Sequence, residues 1–496
     1  MRNLLKNPAW QRDDLGQALP DSKHAVSVAM PLLEHVHGYE KGNPEVLGKL
    51  KLGYPRFLIH SDVQEYFDQA LEQLGKEGED CFCFPSLGAA KRAEQFVSRR
   101  VGKSVNSFRT QNLADSVVAL LFPEEFKEQV KEYWQHAGEV VSSRQVEKQK
   151  SLPQPNEVKK SRQVLEQRVG NYFQGSQPAR VHISPSGMAS FFYALRLVTT
   201  EFTKSRVVQI GFPYVDSLKL LEKCCDQHHL FPKIGTVDYD DAKDYDDFEK
   251  LCLAKEVDAV FVEFPTNASL SVSDLERISK ICRQAEVPLV VDDTIGSFLN
   301  LDLSKTADVV VSSLTKYFSG AGDVLAGSLV LCPESPFFEN FSGKLEEMDK
   351  CDLYDKDLIK LEKNSSSYQE NLSEMQENAF QLAQFLKSHP AVKRVLYPGL
   401  GGKSEYDNLR RSEGGYGALL SIELEGSPEK FFDRLPFSKG PSLGTVFTLA
   451  CPYTLLAHYN ELDWAESCGV SANLIRVSVG KEDYQVLENG FTKALS

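Results

Sequence analysis

From residue 181 onward, short aliphatic runs alternate with longer amphipathic stretches. The runs are VHIS (181–184), RVVQIGF (206–212), AVFVEFP (259–265), PLVVDDT (288–294), DVVVSSLT (308–315) and GSLVLC (327–332). Their apolar residues are continuous rather than alternating, which predicts strands buried on both faces. Between them, DSLKLLEKCCDQHH and SVSDLERISKICRQAE read as helices. In the second, Leu275, Ile278, Ile281 and Cys282 fall on one face. Strands alternating with helices predict a large α/β domain with a mostly parallel sheet, its heart at 181–335.

Residues 355–388 read as one long polar helix ending before Pro390. It predicts an interdomain helix leading into a smaller α+β domain, with VKRVLYP, GALLSIELE and NLIRVSVG as strands. The first 110 residues differ: His, Pro and Gly are scattered among short helical runs. They predict either a separate lobe or an extension wrapped on the core. The segment 145–162, charged and proline-containing, reads as an exposed loop. The expected divisions are 1–110, 111–360 and 361–496.

Charge and cysteine content remove several function classes. The chain has 496 residues and a net charge of −14. An acidic surface argues against nucleic acid or an anionic membrane as main partner. The ten cysteines include no CxxC and no histidines at zinc-finger distances, so reduced thiols and no metal site are expected. The first residues lack a signal-peptide core, and no apolar run nears the ~20 residues needed to cross a bilayer. A soluble cytoplasmic protein is the expectation.

In a parallel α/β sheet, ligands bind beyond the carboxyl ends of the strands. Several informative residues stand there. Ser186-Gly187-Met188 opens a helix after VHIS, where free N–H groups suit a phosphate; capping by Ser184 or Ser186 accounts for the same letters. Tyr214 follows RVVQIGF and either stacks on a planar ligand or packs as an ordinary tyrosine. Asp292 ends PLVVD, where a buried carboxylate needs a cationic partner; Asp293 beside it reads as a turn cap. Lys316 follows DVVVSSLT. A desolvated lysine loses its proton readily and attacks aldehydes. Ser313 and Thr315, two apart in an extended segment, would both face a phosphate. Together these residues describe a site for pyridoxal 5′-phosphate (PLP).

Several motifs extend this. EFPTN (263–267), VVDDT, SSLTKYFSGAGDVLAGS, SLGTVFTL (442–449) and LIRVSVGKED (474–483) resemble blocks of the Cys/Met-metabolism PLP enzymes, the trans-sulfuration family. The flanks ALPDSKHAVSVAMPLLEHVHGYEKG, GYPRFLIH and CPYTLLAHY resemble the fungal-type cystathionine γ-synthases. The resemblance implies the type I, aspartate-aminotransferase-like fold of PLP-dependent transferases. It implies Lys316 as the lysine that binds the cofactor covalently and carries protons. Asp292 would pair with the pyridine nitrogen, and Tyr214 would stack on the ring and take part in catalysis. Ser186, Gly187, Met188, Ser313, Thr315 and Asn267 would complete the cofactor site. Arg476, with Ser442, would bind the substrate α-carboxylate. The implied reaction joins an O-acyl-L-homoserine, acetyl or succinyl, to L-cysteine, giving L-cystathionine. The alternatives are a cystathionine lyase, a homoserine-ester sulfhydrylase, or a non-catalytic regulatory protein of the same fold.

The family's Tyr-Ser-Arg block, which reaches the phosphate of a neighbouring subunit, is not intact. By chain order Arg144 in SSR takes its place, with Arg56 in YPR a second candidate. A homodimer or homotetramer is implied. GAGD (320–323) and SLGTVFT, with Phe447, depart from the family pattern.

Overall fold

The computed structural model describes every residue except 1, 103–106, 148–150 and 402–403. Three sheets follow one another along the chain. The first is a small antiparallel sheet of β1 (Glu79–Phe84), β2 (Arg109–Asn112) and β3 (Val118–Pro123), ordered β1-β3-β2. Helices Ser61–Leu74, Leu87–Arg100 and Lys127–Ala137 complete this lobe. The division expected at residue 110 falls inside β2.

The second sheet carries the site. It comprises β4 (Arg180–Ser184), β5 (Arg206–Ile210), β6 (Gln227–Phe231), β7 (Ala259–Glu263), β8 (Leu289–Asp292), β9 (Val309–Ser312) and β10 (Gly327–Leu331). The order is β4-β10-β9-β8-β7-β5-β6. Only β10 runs against its neighbours, β4 and β9; the other pairs are parallel. β7 and β10 are buried throughout, as their continuous apolar runs require. One strand is a correction. Gln227, His228 and His229, read as the end of a helix, open the edge strand β6, and the helix stops at Cys224. An edge strand tolerates histidines because one side is open to water.

The third sheet, in the small domain, comprises β11 (Val392–Leu396), β12 (Leu419–Leu424), β13 (Ser438–Lys439), β14 (Leu449–Cys451) and β15 (Ile475–Ser478), ordered β11-β12-β15-β14-β13. The long helix expected over 355–388 is two, Asp355–Asn364 and Tyr368–Ser388. Three serines separate them, and the hydroxyls of Ser365 and Ser366 donate to the carbonyls of Leu361 and Lys363, both at 2.8 Å. Such back-bonding competes with helix continuation. The loop expected over 145–162 is helical from Pro155 to Gly170; proline at a first helical position starts a helix rather than breaking one.

Residues 2–60 neither form an independent unit nor trail away. They run as a strap across both domains. Val26 N donates to the Gly322 carbonyl (2.9 Å), and Met30 N to the Lys439 carbonyl (2.9 Å). Ala9 N donates to Ser438 Oγ (3.0 Å). Within the first 110 residues, 2–60 run as this strap, and residues 61–110 lie in the lobe that continues to Ala137.

Candidate active site

The carboxyl ends of β7, β8 and β9 open into a cavity between the large domain, the small domain and the strap. Glu263, Asp292, Ser313 and Lys316 reach it from the sheet, and Arg476 from β15. The strap closes the far side with Val28, Met30, Tyr54, Arg56 and Phe57.

Lys316 is buried in a turn just beyond β9. Its Nζ donates to Ser442 Oγ (3.2 Å) and stands 4.3 Å from the centre of the Tyr54 ring. Burial lowers its pKa from the ordinary lysine value; the nearby Arg476 and Arg56 add to this, and Tyr54 opposes it. Asp292 closes β8. Its Oδ1 accepts from Thr294 N (2.9 Å), and burial raises its carboxyl above the usual range. A protonated ring nitrogen beside it would restore the anion. Asp293 faces away from the cavity onto Ser312, and burial pushes it up to about 8.

The hydroxyls expected to face a phosphate together diverge. Residues 314–319 form turns, so a spacing of two no longer puts Ser313 and Thr315 on one side. Ser313 Oγ is buried, borders the cavity and has no hydrogen-bond partner. Thr315 Oγ1 instead donates to the Ala326 carbonyl (3.2 Å) and accepts from Ala326 N (3.0 Å). Ser186 also serves its own helix: Oγ accepts from Ala189 N (3.0 Å) and donates to the Gly138 carbonyl (2.8 Å). Here capping wins. Gly187 and Met188 do border the cavity. A Cβ on Gly187 would lie 2.7 Å from the Ser313 Cβ, so only glycine keeps this corner open.

Arg476 is 2 % exposed. Its three hydrogen bonds end on neutral acceptors: Asn267 Oδ1 (2.9 Å), the Pro441 carbonyl (2.9 Å) and the Ser442 carbonyl (3.1 Å). A buried guanidinium so held still wants an anion. Ser442 contributes its carbonyl to Arg476 and its hydroxyl to Lys316, so it links the two cations.

Within one chain the two arginine candidates lie apart, and a contact with a neighbouring subunit's site is open to either. Arg144 does not reach this cavity; its Nη1 pairs with Asp357 (2.7 Å) and donates to the Asp323 carbonyl (2.7 Å). Arg56 borders the cavity, supplied by the strap of the same chain. Its Nη1 pairs with Asp216, its Nη2 donates to Tyr214 Oη (2.9 Å), and its Nε is buried without a partner. Tyr214 borders the cavity too, but its hydroxyl is committed to Arg56 and Asp216 (3.2 Å). Burial, with Asp216 adding, holds that phenol well above its ordinary pKa. Tyr214 is thus fixed as a ring more than poised as an acid.

The sequence reading missed Tyr54, Glu263 and Tyr453 as cavity residues. Glu263, pushed up to about 8 by burial and by Asp292, accepts from Tyr214 N (2.6 Å). Its position at a strand end, like that of Asp292, was the available signal. Tyr453 Oη is buried without a partner, and Arg476 lies 4.8 Å from its ring centre. The departures from the family pattern also gain a physical setting. The Gly322 carbonyl, in GAGD, receives the strap, and a Cβ there would lie 3.2 Å from Pro20 with φ at +73°. Phe447 packs with Leu4, Ala9, Leu19 and Ala29 of the strap.

The residues present suit PLP: a desolvated lysine, a carboxylate at a strand end, an open glycine corner, and an unpartnered hydroxyl and guanidinium N–H. Comparison with known proteins agrees. Residues 156–496 match the family described as Cys/Met metabolism PLP-dependent enzyme, and residues 62–142 match the fungal trans-sulfuration enzyme N-terminal domain. The chain is 30% identical to a cystathionine gamma-synthase of Neurospora crassa, covering 97% of this chain and 98% of the other. Among solved structures it resembles a putative O-acetylhomoserine (thiol)-lyase of Campylobacter jejuni, which carries a pyridoxyl-lysine phosphate. The TM-score is 0.59 and the identity 22%, covering 68% of this chain and 86% of that one. It also resembles a cystathionine gamma synthase of Xanthomonas oryzae in complex with cystathionine, with TM-score 0.58 and 24% identity, covering 70% and 89%.

Proposed function

Because the chain belongs to the Cys/Met-metabolism PLP-dependent enzymes, we propose that it replaces the γ-acyloxy group of an O-acyl-L-homoserine with the sulfur of L-cysteine, giving L-cystathionine. The observation that carries this reading is Arg476, a buried fork without a carboxylate partner, linked through Ser442 to Lys316. It suits an amino acid held by its α-carboxylate, with Cα presented to the lysine.

Bound PLP supplies an electron sink for charge developing at Cα. Lys316, Gly187, Met188, Ser313 and Arg56 would hold it, and Asp292 would pair with the ring nitrogen. Lys316 Nζ takes the Cα proton and passes it to solvent, then, neutral again, takes a Cβ proton, and the acyl group leaves from Cγ as a carboxylate. Cysteine adds at Cγ as the thiolate, its S–H proton lost to solvent; Lys316 then returns its proton to Cβ, draws one from solvent and delivers it to Cα. The lowered lysine pKa favours the neutral Nζ that must accept a proton.

One observation favours a second reading. The strap's wall is mostly apolar, and among the described residues its one cation on the cavity, Arg56, already pairs with Asp216. A second amino acid brings a carboxylate that needs its own cation. Sulfide or a small uncharged thiol does not, which favours a homoserine-ester sulfhydrylase. Product analysis with acyl-homoserine plus either cysteine or sulfide decides. Cystathionine from cysteine is expected; homocysteine from sulfide without cystathionine from cysteine replaces the first reading by the second.

A further inference from the structure

Three parts of the chain converge on the carboxylate of Asp216, which is fully buried. The strap brings Arg56, whose Nη1 pairs with Oδ2. The lobe helix Lys127–Ala137 brings Gln135 Nε2 (3.0 Å) and His136 Nδ1 (2.9 Å) to Oδ1. Tyr214 adds its hydroxyl at 3.2 Å. The guanidinium closes the ring, donating from Nη2 to Tyr214 Oη (2.9 Å) and from Nη1 to the Gln135 carbonyl (2.9 Å). Burial raises the Asp216 carboxyl, but Arg56 and His136 overcome it and hold the group down at about 2.

A buried ion pair is weak evidence for stability, since desolvation offsets its attraction. Its geometry says more. Arg56 and Tyr214 border the cavity, and Asp216 does not. The lock occupies the Nη edge of Arg56 and leaves the buried Nε without a partner. One carboxylate thus fixes two cavity residues at once and ties both to the N-terminal lobe.

We propose that Asp216 is a positioning residue of the cofactor site, setting the tilt of the Tyr214 ring and the direction of the Arg56 fork. The proposal rests on the reading that this cavity holds PLP. A double-mutant cycle on the PLP dissociation constant tests it, using wild type, Asp216→Asn, Tyr214→Phe and the double variant. Asp216→Asn is expected to weaken binding about tenfold, the order of one charge-assisted hydrogen bond. Tyr214→Phe should weaken it less. The double variant should bind no more weakly than Asp216→Asn, because the phenol acts through the carboxylate. Additive losses overturn the proposal. So does unchanged or tighter binding in Asp216→Asn; tightening would mean that Asp216 only competes with the phosphate for Arg56. If melting shows Asp216→Asn unfolded, His136→Gln replaces it: a smaller loss, again non-additive with Tyr214→Phe, supports the proposal, and additivity overturns it. Wild-type protein that binds no PLP would overturn the cofactor reading and this proposal with it, whereas additivity overturns this proposal alone.

Discussion

Lys316 and Lys439 are both buried, and their surroundings differ in kind. Lys439 is 0 % exposed. Its Nζ donates to the carbonyls of Pro31 (2.9 Å) and Asp433 (3.1 Å), and Phe432 and Trp10 stand 5.0 and 5.7 Å from it. Burial pushes its pKa down to about 7. A depressed lysine is therefore no mark of catalysis by itself. Lys439 has two fixed acceptors in a closed junction between strap and small domain. Lys316 has one hydroxyl, a tyrosine face and an open cavity beside a second cation. The first arrangement consumes the amine; the second leaves it available.

Substitution breaks the comparison most directly. Lys316→Ala should lose roughly 10³-fold or more in turnover, because it removes the proton carrier. Thermal melting should stay within a few degrees of wild type. Retained turnover would leave the two lysines equivalent and undo the assignment. The next effect falls on the neighbouring cation. Arg476→Ala should lower kcat/KM by about 10- to 100-fold, the order expected for a lost charge-assisted contact, while PLP still binds. An equal loss of PLP affinity would move Arg476 from the substrate to the cofactor.

The same pair shows what the sequence could disclose. Lys316 was legible because it ends an apolar strand among recognisable neighbours, and the strands themselves announced their burial by continuous β-branched runs. Asp292 and Gly187 were legible from their places beyond strand ends, and Arg476 through the resemblance of LIRVSVGKED to a family block. What escaped depended on the path of the strap. No periodicity in residues 2–60 says that Tyr54 will lie under Lys316, or that Arg56 will border the cavity of its own chain. Thr315 escaped for a local reason: the chain turns immediately after Ser313, and the two hydroxyls part. The edge strand β6 escaped because its histidines break the apolar run that marks a buried strand.

A subtler measurement sharpens the contrast at Lys316. In cofactor-free protein, the pH dependence of labelling by an amine-directed reagent reports its titration. It should fall below 10.5, the ordinary lysine value. Tyr54→Phe should lower it further, because the phenol supports the ammonium against burial and the two arginines. A shift upward in that variant would remove Tyr54 as a partner of Lys316.

The smallest effect belongs to Lys439, and its sign follows from linkage. The folded amine titrates at about 7 and the free one near 10.5. Between those values the unfolded chain binds a proton that the folded chain does not, so stability rises with pH across that window. Below about 7 both states are protonated, and the fold carries the full cost of the buried charge. Lys439→Met keeps the length of the side chain and removes both the charge and the slope. Its melting temperature should depend less on pH between 7 and 10.5 than that of wild type. Two carbonyls, of Pro31 and Asp433, lose a donor in exchange, so the net change at neutral pH should be small, about 1 kcal/mol in either direction. Turnover should stay at the wild-type level, because Lys439 does not border the cavity. Loss of turnover with an unchanged melting curve would mean that the strap junction governs the site, and that the two buried lysines are less separate than their surroundings indicate.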